Sequence, residues 1–374
     1  MPQSTTHEKP KPTTKNGAVE LLRILAITCI LFHHYQQLSG VYFPGGINFY
    51  NGRFPFQYLV ELFFLLSGFL AHRYERQIRD GLSFGTYLKG RIARLFPGMI
   101  AADLFCYAFL AFYFRQYGSY WMDIPINKWR LLVTLLGMGA GWFTPATQIN
   151  SPTWYISVLF LCLLLLYLLT RLAQKTGKDT GIFCAGMILL GVAGWEFILR
   201  AGPECPTIPF WNIYSARGYY AFFMGVLLAK LKERGIPVSV QIVWLAAGCG
   251  TLLWYLLAPG LLLSRINVVL ALVIFPPFLL LLVSDRALGA SGTWKGIVRL
   301  GKLSYSVYLW HVPFFLAAFT ILLQKGIYVD LKKPVWMLCY ALLSWGVGCA
   351  AFYLLEMPLR KICAAVGKVS KKDN

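Results

Sequence analysis

The chain has 374 residues, 57% of them hydrophobic and only 13% charged, with 35 Lys and Arg against 15 Asp and Glu. A soluble domain carries about 25% charged residues, so a water-soluble globule is excluded, and the mean hydropathy of +0.58 agrees. The net charge of +20 sits in short segments between apolar runs, a pattern that orients membrane proteins and requires no nucleic-acid partner.

A polar, lysine-bearing segment, residues 1–18, opens the chain. No small-residue cleavage site follows the first apolar run, which predicts an uncleaved cytoplasmic segment. Ten spans are expected near 19–38, 56–72, 96–114, 152–170, 181–199, 217–230, 239–257, 266–284, 304–323 and 334–355, most close to the ~20 residues that cross a bilayer core. The predicted fold is an all-α polytopic bundle, with a membrane domain over 19–362 and a basic cytoplasmic tail over 363–374. With the N-terminus inside, cytoplasmic segments hold 24 Lys and Arg and external loops 9, which places both termini in the cytoplasm. Residues 131–143, LLVTLLGMGAGWF, are apolar but too short to span, and three glycines weaken a helix there. An interfacial or re-entrant segment is predicted. The nine cysteines show no CxxC pair and no metal-ligand spacing, so neither a disulfide framework nor a metal site nor a bound cofactor is expected.

Arg23, His33 and His34 lie inside the first span. An ionisable group in hydrocarbon costs at least ~2.5–3.5 kcal/mol on insertion scales, which makes it a functional-site candidate. Arg23 and His34 are eleven residues apart and share a helix face, separated by roughly 16 Å. Glu61, five residues into the second span, is expected at His34's depth. A histidine beside a carboxylate forms a general base, or else an ion pair that only locks two helices. His311, about 10 Å into the ninth span, is expected at Arg23's level. His33 and His72 read as packing or interfacial residues, and Asp103 and Glu196 are further acids with no partner readable from sequence. The loop 73–97 is the most basic in the chain. Its Arg91 and Arg94 share a helix face and suit bidentate recognition of phosphate, although anchoring to anionic membrane lipids would use the same residues. Trp154 and Tyr155, at the outer mouth of the fourth span, read either as an aromatic belt or as a stacking platform for an incoming sugar.

These segments, taken in order, resemble a known family. They are Glu20-x-x-Arg23 with His34 eleven residues on, Val60-Glu61-Leu62-Phe63-Phe64-Leu65-Leu66-Ser67-Gly68-Phe69, and Tyr87-Leu88-Lys89-Gly90-Arg91-Ile92-Ala93-Arg94-Leu95-Phe96-Pro97. Trp154-Tyr155, Phe222-Phe223-Met224-Gly225, Tyr305-Ser306-Val307-Tyr308-Leu309-Trp310-His311 and Glu356-Met357-Pro358 follow. From about 17 to 362 the chain is similar to integral-membrane acyltransferases of the acyltransferase-3 family, bacterial O-acetyltransferases of cell-envelope glycans. The resemblance implies transfer of an acyl group, acetyl foremost, from acyl-CoA to a hydroxyl of an extracytoplasmic or lipid-linked glycan, in the bacterial inner membrane. It makes Arg23 and His34 the family's intramembrane Arg/His pair and Arg91 and Arg94 its cytoplasmic RxxR. Glu61 stands where the family often has aspartate. No appended esterase-like domain is read in the sequence, so the acyl group passes directly to its acceptor or to a separate extracytoplasmic partner.

The expected mechanism has Arg91 and Arg94 holding the donor phosphates and the thioester passing Arg23 and His311. His34, oriented by Glu61, would deprotonate an acceptor hydroxyl arriving past Trp154 and Tyr155. Two rivals use the same residues: a proton-coupled transporter or flippase, and a membrane sensor that binds without acylating.

Overall fold

Asn16 starts the bundle. Its side-chain oxygen accepts hydrogen bonds from the backbone N–H groups of Ala18 and Val19, and helix α1 then runs Gly17–Ser39, closing on Gly40 at φ 65°. The computed structural model describes residues 16–50, 56–143, 148–202, 208–258, 263–283 and 295–362. Most of the expected N-terminal segment and the tail beyond 362 lie outside them. After α1 come α2 (Leu59–Ala71), the short α3 (Arg73–Arg79) and the 34-residue α4 (Phe84–Tyr117). Then follow α5 (Lys128–Leu135), α6 (Trp154–Thr176), α7 (Thr180–Ala201), α8 (Ile213–Arg234) and α9 (Val238–Leu257). The remaining helices are α10 (Ile266–Val283), α11 (Lys295–Gly301), α12 (Ser304–Gln324) and α13 (Pro334–Ile362). Two of these widen locally into π turns, at Leu270–Ile274 and Phe352–Glu356. No strand occurs among the described residues.

Eight of these helices are long and apolar enough to cross a membrane: α1, α4, α6, α7, α9, α10, α12 and α13. The protein is an integral membrane protein. The other two expected spans are also helical, as α2 and α8, but they pack inside the bundle. α2 has 13 residues, ~20 Å, and is prolonged by a 3-10 turn before it and by α3 after it. α8 is long enough but more polar, which an interior position allows because it meets side chains and not lipid. The two run parallel with backbones nearly touching. A methyl group added to Gly68 would lie 2.8 Å from the Phe222 carbonyl carbon, and one on Gly225 2.8 Å from the Phe69 nitrogen. Only glycine permits that approach.

α5 has eight residues, ~12 Å, and cannot cross. The stretch after it is tied to the start of α6. Ser157 Oγ lies 3.0 Å from the Gly137 carbonyl and 2.8 Å from that of Ala140, and Trp142 Nε1 donates to the Ser157 carbonyl at 3.0 Å. The non-crossing segment expected over 131–143 is therefore present.

α3 is held by Glu75, which is buried. Lys230 of α8 donates to its Oε1 at 2.7 Å and Arg79 at 3.3 Å, while His72 Nδ1 lies 3.2 Å from Oε2 without hydrogen-bond alignment. Burial alone would raise this carboxyl, but the polar contacts of His72, Lys230 and Thr180 and the Lys230 charge outweigh it and hold it at about 2. A carboxylate held below its ordinary 4.5 adds stability that is present above that pH and lost as pH falls toward 2. Hydrogen exchange of the 73–79 amides, corrected for intrinsic rates, should therefore show protection that declines as pH falls below about 4.5. Glu75→Gln should remove the dependence; a wild-type profile flat down to pH 2 would contradict this linkage.

Candidate active site

Three imidazoles meet at the far end of α1. The His34 ring lies 4.9 Å from that of His311 on α12 and 5.0 Å from that of His33. His33 Nδ1 is bound to the Phe49 carbonyl at 3.0 Å. His34 Nδ1 is 2.9 Å from Gln37 Oε1, and His311 Nδ1 is 3.2 Å from the Val307 carbonyl. An oxygen of this kind only accepts, so each Nδ1 carries the proton and each Nε2 keeps a lone pair. His311 Nε2 is buried with no hydrogen-bond partner, whereas His34 is only half-buried. The arrangement presents one accessible imidazole base with a second beside it.

Two expectations about this centre need correction. His311 is beside His34 and not at Arg23's level. Gly301, at the end of α11, packs against the Glu20 side chain. Measured from that shared level, His311 stands ~15 Å and His34 ~21 Å along their helices, a difference that tilt and side-chain reach absorb. Glu61, in turn, does not orient His34. Its carboxylate accepts from Arg217 Nε at 2.6 Å and Nη2 at 2.8 Å, and from the Tyr220 hydroxyl at 3.1 Å. Asn267 donates to that hydroxyl at 2.7 Å. Gln37 holds the position expected of the carboxylate. Sequence reading does not single out Arg217, at the mouth of the sixth expected span. The available signal was that a guanidinium there needs an acid at its own depth.

Arg217 also changes the setting of Trp154. Its guanidinium carbon stands 4.7 Å from the Trp154 ring centre and 5.3 Å from that of Tyr58, so one partner of the Trp154 π-system is already in place. Tyr155, expected at the outer mouth, points the other way. Its hydroxyl pairs with Ser67 Oγ at 2.9 Å, and it lines a cavity on the side of the bundle that carries α3.

That cavity, of about 320 Å³, is lined by six cations: Arg23, Arg73, Arg91, Arg94, Lys302 and Arg360. Among the described residues no carboxylate lines it. Arg23 is paired with Glu20 at 3.2 Å and Arg360 with Glu356 at 3.0 Å. Among the described residues, the other four have no carboxylate partner. Arg91 stacks over the Tyr74 ring at 3.8 Å, with Tyr87 beyond it at 5.2 Å, and its Nε is buried without a hydrogen bond. The structure thus joins Arg23, Arg91 and Arg94 around one space, roughly 16 Å of helix below His34. Of the remaining acids, Glu196 pairs with Arg265 at 2.6 and 2.9 Å away from both centres. Asp103 is fully buried beside Asn150 and Thr153, yet neither of its oxygens makes a hydrogen bond; Asn150 Nδ2 donates to the Leu309 carbonyl and Thr153 Oγ1 to the Asn150 carbonyl. Among the described residues no cluster of His, Cys, Asp and Glu suits a metal ion.

Residues 16–353 match the family model described as an acyltransferase domain. The chain is 22% identical over 363 residues to nodulation protein 10 of Rhizobium leguminosarum bv. viciae, covering 92% of this chain and 93% of that one. No solved structure matches. A family match over nearly the whole chain, on an all-helical membrane bundle with paired imidazoles and a cationic cavity, means that the protein belongs to the acyltransferase-3 family and is an O-acyltransferase.

Proposed function

We propose that the protein transfers an acyl group, acetyl foremost, from acyl-CoA to a hydroxyl of an extracytoplasmic or lipid-linked glycan, in a bacterial inner membrane. The observation that carries this reading is the cavity lined by six cations, of which Arg23 lies about 16 Å of helix below His34. Four cations without carboxylate partners among the described residues complement a ligand that carries a pyrophosphate and a further phosphate. The pantetheine arm of an acyl-CoA separates such phosphates from its thioester, as this spacing requires. The Lys and Arg distribution supports placing the cavity side in the cytoplasm, where acyl-CoA is made, with no bound cofactor.

His34 Nε2 takes the acceptor's hydroxyl proton while that oxygen attacks the thioester carbonyl. A carbon–oxygen bond forms, the carbon–sulfur bond breaks, and the proton passes from His34 to the departing thiolate. Gln37 holds His34 in the required tautomer, and Arg23, Arg91 and Arg94 bind the donor. Trp154 remains on the acceptor side as a neighbour of Arg217. The final acceptor is the glycan itself or a separate extracytoplasmic partner that relays the acyl group.

Arg91 supplies the test. Arg91→Lys keeps the charge but loses the planar fork. A charge-assisted contact is worth roughly 1.5–3 kcal/mol, so the KM for acetyl-CoA should rise about ten- to a hundredfold, with the acceptor KM unchanged. Anchoring to anionic lipid is worth only about 1 kcal/mol per basic residue and is blind to the fork. Unchanged donor KM in both Arg91→Lys and Arg91→Ala, measured on purified protein, would reject the donor site.

A further inference from the structure

Glu356 is fully buried in α13. One of its oxygens pairs with Ser306 Oγ of α12, and the other accepts from Arg360 Nη2 at 3.0 Å. Gly98 of α4 closes the third side. A methyl group there would lie 2.8 Å from Glu356 Cδ and 3.1 Å from Oε2, so a side chain at 98 would push the carboxylate aside. Three helices converge on one carboxylate, and the π turn Phe352–Glu356 ends on it; such turns recur at functional sites.

An ion pair with one buried member and one half-buried is poor glue, because well-packed apolar residues of similar volume usually hold helices as well or better. What the pair accomplishes is seen at Arg360. Its guanidinium lines the cationic cavity, and its Nε is buried with no hydrogen-bond partner. Arg91, from a different helix that lines the same cavity, likewise has a buried Nε without a hydrogen bond. A guanidinium has five N–H donors in a rigid fork, and Glu356 engages only one nitrogen of this one. We propose that Arg360 is a further contact to the donor's phosphates, and that Glu356, braced by Ser306 and admitted by Gly98, is the residue that positions it. The proposal rests on the acyl-CoA reading above.

The test uses the full-length protein in detergent, with coenzyme A as the binding probe and initial rates for the donor and acceptor KM. Arg360→Gln should raise the coenzyme A Kd and the donor KM about ten- to a hundredfold and leave the acceptor KM alone. Glu356→Gln should shift the same two constants in the same direction, with no further loss when added to Arg360→Gln, because a positioning residue acts only through what it positions. A coenzyme A Kd unchanged by Arg360→Gln but raised by Arg91→Ala would overturn this proposal and leave the donor site standing. A Kd unchanged by both would overturn both. Additive losses in the double variant, or a Glu356→Gln effect confined to thermal stability, would reduce Glu356 to a structural tie. If Glu356→Gln does not accumulate, Ser306→Ala takes its place, and Arg360→Gln still decides the contact.

Discussion

His34→Ala is expected to abolish acyl transfer while the protein still inserts, folds and binds coenzyme A. A positioned general base contributes ~10²–10⁴-fold in rate, and no other described group presents an accessible lone pair at that place. The loss to packing is small. The ring is half-buried, its Nδ1 is bonded to Gln37 three residues along the same helix, and it meets two further imidazoles. Rates should be compared at equal folded concentration, judged by size-exclusion elution and coenzyme A affinity. Residual transfer above a hundredth of wild type would move the base to His311, whose buried Nε2 is the alternative acceptor. Loss of folded protein in place of activity would make the histidine a packing residue.

The largest stability effect is expected at Glu61. Removing one member of a buried ion pair leaves the other uncompensated and typically costs 3–5 kcal/mol. Glu61 is fully buried, and its loss would strand Arg217, the Tyr220 hydroxyl and, behind it, Asn267. Glu61→Ala and Arg217→Ala should each reduce folded protein sharply, as read by thermal unfolding in detergent and by yield. Glu61→Leu with Arg217→Leu should recover much of that stability, since neither charge is then left unpaired. This separates the two roles that a carboxylate at this depth can have. A Glu61→Ala protein that is fully stable but inactive would restore it to the catalytic centre.

The class of the protein was legible residue by residue. Apolar runs of span length, Lys and Arg concentrated in alternate loops, and a glycine-broken 131–143 too short to cross are local properties, and the helices form where those properties place them. The chemistry-bearing residue types were legible as well, because an ionisable group inside an apolar run is conspicuous at its own position. Arg23, Arg91 and Arg94 do share a cavity, and His34 does lie far along α1 from Arg23.

Only the tertiary structure decided who meets whom. Helical periodicity tells which residues share a face, but not which neighbouring helix that face meets, nor how far one helix is shifted along its axis against another. Glu61 looked like His34's partner because the depths agreed. Yet α2 lies so close to α8, glycine against backbone, that the carboxylate is taken by Arg217, 156 residues away in the chain. His311 was misplaced because α11 sets the starting level of α12, and Tyr155 because one residue's rotation along α6 turns a side chain from the Trp154 side toward the cationic cavity. Axial offset and azimuth are set by the packing of the whole bundle at once, and no local stretch of sequence contains them.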